Sequence, residues 1–197
     1  MFRESITKEE LAELPLVQFE GEITVVDEYS QVNKIADFLA KQQLIGFDTE
    51  TRPSFKKGVA YKVALLQLST NGHAFLFRLN KIGLPGRIVR ILQSEDIIKM
   101  GVALRDDIKA LQSLADFKPN KFIDLQESVR DFGIKNFSLK KLTAIILGFR
   151  ISKSQQLSNW ETESLTEAQQ IYAATDAWVA LKIYENLFVD RLQEIKQ

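Results

Sequence analysis

The stretch Leu44-Ile-Gly-Phe-Asp-Thr-Glu50 decides which fold the sequence predicts. Its apolar and β-branched residues predict a strand, which must end before Pro53 because proline cannot donate a hydrogen bond to a sheet. Side chains alternate along a strand, so Asp48 and Glu50 project from one face while Phe47 projects from the other. Two carboxylates placed in this way repel each other, and a divalent cation would relieve the repulsion. Two solvated acids where a strand meets a loop are the alternative interpretation.

The sequence on both sides of this stretch indicates a mixed α/β fold. Capping-box spacing at Thr7-Lys-Glu-Glu10 predicts a short helix. Strands are predicted at 23–26, 62–69, 73–79, 97–102 and 122–125, with a hairpin turn at Thr70-Asn-Gly72. Helices are predicted at 30–43, where Ser30 would be the N-cap, at 84–94 and at 105–115, and the remainder is mostly helical. We therefore expect a mixed central β-sheet flanked by helices, as a single domain over residues 21–197 after an N-terminal extension of residues 1–20.

Composition excludes several kinds of chemistry. The chain has no cysteine and one histidine, His73, so disulfides, thiolate chemistry and cysteine- or histidine-rich metal sites are excluded. A bound metal would be held by carboxylate oxygens, which favours Mg²⁺ or Mn²⁺. No apolar run is long enough to span a bilayer, and the acid-rich N-terminus does not resemble a signal peptide. We expect a protein without a membrane partner or covalent cofactor, located in the cytoplasm or, in a eukaryote, in the cytoplasm or the nucleus.

Charge is unevenly distributed along a chain whose net charge is zero. Acidic residues predominate in 1–47, whereas 51–94 and 134–153 contain basic residues and no acid. Such segregation can produce a basic surface that attracts phosphate backbones. Chance clustering on ordinary solvated faces is the alternative. The candidates for nucleic-acid binding are Arg52, Lys56, Lys57 and Lys153.

Two neighbouring acids, Asp106 and Asp107, stand at the start of a predicted helix. Acids there can simply satisfy free backbone N–H groups and the helix dipole. Helical phase separates the pair, because Asp107 shares its stripe with Leu111 and Leu114 and should face inward. Asp107 is therefore the functional candidate.

The last long helix carries a tyrosine and an acid on one face. Ser164 and Glu167 have capping-box spacing, which predicts where this helix begins. Tyr172 and Asp176 are four residues apart, so both rise from the same side about a turn from each other. An acid in line with an apolar stripe is costly unless something pairs with it.

Together these motifs resemble the tyrosine branch of the DEDD superfamily of 3′→5′ exonucleases. The group that is most similar contains the exonuclease domain of the Werner syndrome protein and its stand-alone relatives. Besides Phe47-Asp-Thr-Glu50 and Tyr172-Ala-Ala-Thr-Asp176, the similar stretches are Lys62-Val-Ala-Leu-Leu-Gln-Leu-Ser69, Gly101-Val-Ala-Leu, Asn159-Trp160 and Leu165-Thr-Glu. The motifs occur in the right order over roughly residues 20–190.

The resemblance implies a ribonuclease H-like fold and a metal-dependent 3′→5′ exonuclease that releases nucleoside 5′-monophosphates, with DNA favoured. It further implies two divalent ions, Mg²⁺ or Mn²⁺. Asp48, Glu50 and Asp176 would hold the first ion, Asp48 would also bind the second with help from Asp107, and Tyr172 would orient the attacking water. The nucleic-acid partner would be a single strand or the 3′ end of a duplex.

Three other functions fit parts of this pattern. A ribonuclease D-like enzyme that trims RNA 3′ ends would carry the same motifs. A non-catalytic nucleic-acid-binding module could keep the fold, although the complete set of acids argues against it. A glycosidase would also use paired carboxylates, but it would explain neither the tyrosine motif nor the basic segments.

Overall fold

The computed structural model describes residues 2–56, 58 and 60–190. Six strands form one sheet in the order β1-β4-β3-β2-β5-β6. β3 is antiparallel to both β2 and β4, whereas β1 is parallel to β4, β5 is parallel to β2 and β6 is parallel to β5. The sheet is therefore mixed, as the sequence predicted. The strands are β1 (Glu22–Val26), β2 (Leu44–Thr51), β3 (Val63–Ser69), β4 (His73–Arg78), β5 (Ile98–Gly101) and β6 (Phe122–Asp124).

Helices cover both faces of this sheet. The α-helices are α1 (Lys8–Glu13), α2 (Val32–Leu39), α3 (Leu79–Ile82), α4 (Gly86–Gln93), α5 (Leu104–Gln112), α6 (Leu125–Ser128), α7 (Leu139–Leu147) and α8 (Glu167–Tyr184). Short 3-10 turns occupy Tyr29–Gln31 and Val129–Phe132, and a π-helical segment, Glu185–Asp190, follows α8. Within the described part of the chain, no helix has both the length and the apolar character needed to cross a bilayer.

Two predicted helix starts were wrong. Ser30 does not cap α2, because its hydroxyl donates to the Glu28 carboxylate. A 3-10 turn precedes α2 instead, and the N–H groups of Asp27 and Glu28 donate to the side chain of Gln31. α2 also ends at Leu39 rather than near residue 43. The N-cap of α8 is Thr166, two residues after the predicted Ser164. Its side chain accepts from the N–H of Gln169, and the Gln169 amide accepts from the N–H of Thr166.

The two faces of the sheet carry different residues. Alternation along β2 places Phe47 in the larger apolar core, which α2, α4 and α5 cover. The opposite face packs on α8, which also forms a second core with α1, α6 and α7. Asp48 and Glu50 lie on this α8 side, so the sheet presents its carboxylates to the last helix.

Residues 2–20 pack on the rest of the molecule. The capping box predicted at Thr7 and Glu10 is present, and α1 buries Leu11 in the second core. Farther along, the backbone of residues 15–17 pairs with Arg150. This segment thus shares a hydrophobic core with the rest of the chain. The division of the chain at residue 20 stays a prediction.

Candidate active site

A close approach between β2 and α8 brings the strand acids and the helix acid together. At Gly46, a Cβ atom would lie 1.9 Å from the carbonyl oxygen of Ala177, so only glycine allows the helix to cross the strand there. Asp48 follows Gly46 by two residues on the same strand face, and Asp176 directly precedes Ala177. The crossing therefore places the Asp176 carboxylate beside that of Asp48.

Three carboxylates form the centre of the resulting cleft. Asp48, Glu50 and Asp176 each offer an oxygen, and these oxygens lie within 4.8 Å of one another. Asp176 is only 8% exposed, and its Oδ1 has no hydrogen-bond partner in the described structure. A buried carboxylate oxygen without a partner is costly, and a divalent cation among the three groups would satisfy it. The donor set consists only of oxygens and thus fits Mg²⁺ or Mn²⁺.

The protonation behaviour of the cluster reflects the same crowding. Burial, followed by the charges of Asp176 and Asp107, raises the pKa of Asp48 well above its usual value. Burial and the neighbouring carboxylates raise the pKa of Glu50 to about 9. Burial raises the pKa of Asp176 to about 7, although the Tyr172 hydroxyl and the charge of Lys153 act in the opposite direction. Without a cation, the site therefore opposes full ionisation.

Asp107 stands beside this cluster and is held by a separate contact. It is half-buried at the start of α5, whereas Asp106 is exposed, which agrees with the helical phase predicted from the sequence. The Thr49 hydroxyl donates to Asp107 Oδ1 at 2.5 Å. Burial raises the pKa of Asp107, and this hydrogen bond opposes the rise. Asp107 is thus close enough for its charge to raise the pKa of Asp48, but its carboxylate is not one of the three clustered ones.

The loop before α5 is fixed by an acid that sequence reasoning missed. Asp124, at the end of β6, accepts from the N–H groups of Ala103 and Leu104 at 3.1 and 3.0 Å. It also accepts from the N–H of Gln126 at 2.9 Å, which caps α6. Ala103 has a left-handed backbone (φ 60°), an unusual conformation for a residue with a side chain. Asp124 holds this turn and thereby fixes the start of α5 and the position of Asp107.

Tyr172 lies one turn before Asp176 on the face of α8 that lines the cleft. Its ring is buried and packs against Trp160, with ring centroids 5.9 Å apart. Burial and the neighbouring carboxylates, Asp176 first, raise the pKa of the Tyr172 hydroxyl above its usual value. The group therefore stays protonated and can donate or accept a hydrogen bond in the cleft.

The predicted nucleic-acid contacts have different surroundings. Arg52 is engaged within the protein, because it pairs with Glu161 at 3.3 Å and lies over the Tyr61 ring. Lys56 is exposed, and Lys57 lies outside the described residues. Lys153 lines the carboxylate cleft, where its charge acts on Asp176. The geometry therefore brings Lys153 to the predicted site most directly.

Ion pairing within the protein reduces the free charge of the basic segment 51–94. Besides Arg52, Lys81 pairs with Glu163 at 3.0 Å and Arg87 pairs with Asp37 at 2.5 Å. Arg78 is fully buried and donates to the backbone carbonyls of Thr162 and Glu163. Part of the charge that suggested a nucleic-acid surface thus stabilises the fold instead.

A mixed six-stranded sheet crossed by one long helix is the arrangement of the ribonuclease H-like fold. A family model described as 3′-5′ exonuclease matches residues 23–190, and the chain belongs to this family. The family is metal-dependent, which agrees with the acidic cluster. Membership means that the chain has the 3′-5′ exonuclease domain of this enzyme family.

Individual relatives support this assignment. The mouse bifunctional 3′-5′ exonuclease/ATP-dependent helicase WRN is 30% identical over 184 residues, an alignment covering 88% of this chain and 13% of that protein. A 3′-5′ exonuclease of Arabidopsis thaliana is 27% identical over 198 residues, covering 88% of this chain and 66% of the relative. The chain therefore spans only part of the length of these proteins.

Solved structures share the fold. The Nibbler EXO domain of Aedes aegypti superposes with a TM-score of 0.79 at 26% identity, covering 92% of this chain and 94% of that domain. Escherichia coli RNase D, an exoribonuclease involved in structured RNA processing, superposes with a TM-score of 0.78 at 21% identity, covering 87% and 46% of the two chains.

Proposed function

We propose that this chain hydrolyses the terminal phosphodiester at nucleic-acid 3′ ends, releases nucleoside 5′-monophosphates, favours DNA and uses two divalent ions. The observation that carries the proposal is the cluster of three carboxylate oxygens within 4.8 Å in a cleft lined by Tyr172 and Lys153. The proposed preference for DNA follows the resemblance of the motifs to the group that contains the Werner syndrome protein, and the experiment below distinguishes DNA from RNA.

The residues present fit the two proposed ions. Asp48, Glu50 and Asp176 would hold the first ion, and Asp48 would also bind the second. Asp107 stands beside the cluster, where it would act through a bound water. When bound, such ions activate an attacking water and stabilise the leaving oxygen of an in-line displacement.

The remaining chemistry belongs to side chains of this chain. The water oxygen loses a proton and bonds to phosphorus, and the bond from phosphorus to the 3′-oxygen of the preceding nucleotide breaks. That oxygen then takes up a proton and becomes the new 3′-hydroxyl. The Tyr172 hydroxyl orients the water by hydrogen bonding, because its raised pKa excludes a phenolate at neutral pH. The Lys153 ammonium offsets negative charge where the phosphate would lie.

Labelled strands test this proposal. The protein would be incubated with 3′-labelled and 5′-labelled DNA and RNA strands in Mg²⁺, in Mn²⁺ or in EDTA. We expect the 3′ label to leave at once as a mononucleotide, the 5′-labelled strand to shorten progressively, and EDTA to stop both. Full activity in excess chelator would contradict the metal requirement. Faster digestion of RNA would instead indicate an RNA-trimming enzyme, and binding without cleavage would indicate a non-catalytic module.

A further inference from the structure

A basic pocket of about 550 Å³ lies beside the carboxylate cleft. It is formed where α1, the start of α7 and the segment after α7 meet, and it contains no acidic side chain among its lining residues. We call it the α1–α7 pocket. Its basic members are Lys8, Lys140, Lys141, Arg150 and Lys153.

Three lysines of this pocket form no salt bridge within the part of the chain that the structure describes. In the described residues, Lys8, Lys140 and Lys141 have no acidic group within salt-bridge distance. Arg150 uses its Nε to donate to the carbonyl of Leu14 at 3.0 Å. This contrasts with segment 51–94, where several basic residues are paired within the fold.

The orientation of α1 increases the contrast. This helix is acidic, yet the residues that line the pocket are its N-cap Thr7 and its members Lys8, Leu11 and Ala12. Glu10 points elsewhere, because it accepts from the N–H of Thr7 and pairs with Arg3 at 2.8 Å. The helix therefore presents its single lysine to the pocket and its acids to other surroundings.

Several contacts hold α1 in this orientation. Ile6 and Leu11 are buried in the second core, and the N–H of Ile6 donates to Asn136 at 3.1 Å. The N–H of Lys135 donates to the carbonyl of Glu4 at 2.7 Å. The family match begins at residue 23, so this wall of the pocket lies outside the part of the chain shared with the family.

The pocket continues directly into the carboxylate cleft, because Lys140 and Lys153 line both. We propose that the α1–α7 pocket binds backbone phosphates of the same strand whose 3′ end occupies the cleft, on the 5′ side of the scissile bond. The proposal rests on the proposed function of the cleft. Contacts of lysines with phosphates carry no sequence information, so the pocket would add affinity for longer strands of any sequence.

The test compares strand lengths and salt concentrations. The Lys8→Gln/Lys141→Gln double variant would be titrated in EDTA with a dinucleotide and with a single strand of about ten nucleotides, a length typical of single-strand sites. Each lost phosphate contact should reduce the slope of log affinity against log salt by roughly 0.7, so we expect the double variant to lose roughly 1.4 on the long strand. In the same variant, the ratio of the affinity for the long strand to the affinity for the dinucleotide should also fall.

Two control variants separate charge from other effects. Lys8→Arg/Lys141→Arg keeps both charges and should keep the wild-type slope. Lys34→Gln removes an exposed lysine from α2, which covers the opposite face of the sheet, and should change nothing. An unchanged slope in the double glutamine variant would overturn the proposal, as would an equal loss on the dinucleotide and the long strand. Failure of the wild-type protein to release mononucleotides would instead contradict the proposed function itself.

Discussion

Thr49 Oγ1 donates a hydrogen bond of 2.5 Å to Asp107 Oδ1 and so connects the acidic strand with the start of α5. Thr49 stands between Asp48 and Glu50, but its side chain projects from the other strand face. The contact therefore holds Asp107 at the edge of the cluster rather than inside it. This arrangement would suit the role proposed for Asp107, which is to act on a second ion through a bound water while the three clustered carboxylates hold the first ion.

The first prediction separates the two neighbouring acids of α5. Asp107→Asn should nearly eliminate turnover, because it removes a negative charge beside Asp48. Asp106→Asn should keep most of the activity, because Asp106 is exposed. Initial rates of mononucleotide release, measured for both variants at saturating metal, decide the matter. The reverse ranking would mean that Asp106 is the functional acid.

The second prediction concerns Asp124 as a positioning residue. Asp124→Asn replaces one acceptor oxygen by an amide that cannot accept, which leaves one of the bonded N–H groups at Ala103 and Leu104 unpaired. The expected cost is about 1–3 kcal/mol in the free energy of unfolding, together with a lower kcat. Denaturant unfolding and steady-state kinetics would measure both. Asp131→Asn, at an exposed position, is the control. An unchanged kcat would show that this turn does not position Asp107.

Local sequence patterns could predict the components of the site. Alternation along β2 placed Asp48 and Glu50 on one face, and a spacing of four placed Tyr172 and Asp176 on one side of α8. That these two pairs face each other depends on the crossing at Gly46, a tertiary contact without a local signal. The resemblance to a known family supplied this step.

Other features could not be predicted because their partners are distant in sequence. Asp124 is separated by some twenty residues from the N–H groups that it accepts from. At the start of α8, both Ser164 and Thr166 stand three residues before a suitable partner. Gln169 also donates to the Asn159 carbonyl at 3.2 Å, and this contact accompanies the choice of Thr166. Neither the contacts of Asp124 nor the contact between Gln169 and Asn159 can be predicted from a pattern within a few residues.

The third prediction is a pH-dependent stability of the metal-free protein. The pKa values of Asp48, Glu50 and Asp176 are raised in the folded state, to about 9 for Glu50 and about 7 for Asp176. The folded state thus binds more protons than the unfolded state between about pH 4 and about pH 9. The free energy of unfolding in EDTA should therefore fall as pH rises through this window.

Thermal unfolding at several pH values checks this expectation. Asp48→Asn should raise the Tm of the metal-free protein at neutral and higher pH, because it removes one of the repelling charges. It should also abolish turnover and reduce the stabilisation that Mn²⁺ gives. Asp116→Asn, at an exposed position outside the cleft, should have no such effect. A Tm in EDTA that does not change across the window would contradict the raised pKa values.

The fourth prediction concerns the lysines after β2. Neutralising Lys56 and Lys57 together should weaken strand binding and reduce the slope of log affinity against log salt, since fewer counterions are released. Lys62→Gln, which removes one exposed charge at the end of the same loop, is the comparison. An unchanged slope would place Lys56 and Lys57 away from the path of the strand.

The last prediction assigns different roles to Tyr172 and Asp176, although they share a face of α8. Asp176→Asn should lose metal affinity as well as rate, because the carboxylate contributes a full negative charge to the cluster. Tyr172→Phe keeps the ring that packs on Trp160, so folding and metal affinity should persist. Its turnover should fall because the hydroxyl no longer orients the attacking water, with about 10²–10⁴-fold as the upper range that a proton-transfer group would contribute.

Calorimetric titration of both variants with Mn²⁺, alongside their rates of mononucleotide release, distinguishes these roles. Weak Mn²⁺ binding by Asp176→Asn and normal binding by Tyr172→Phe would support the assignment of Asp176 as a ligand and Tyr172 as the residue that orients water. Wild-type turnover by Tyr172→Phe would mean that the tyrosine acts only in packing, because the one atom removed is the hydroxyl oxygen in the cleft.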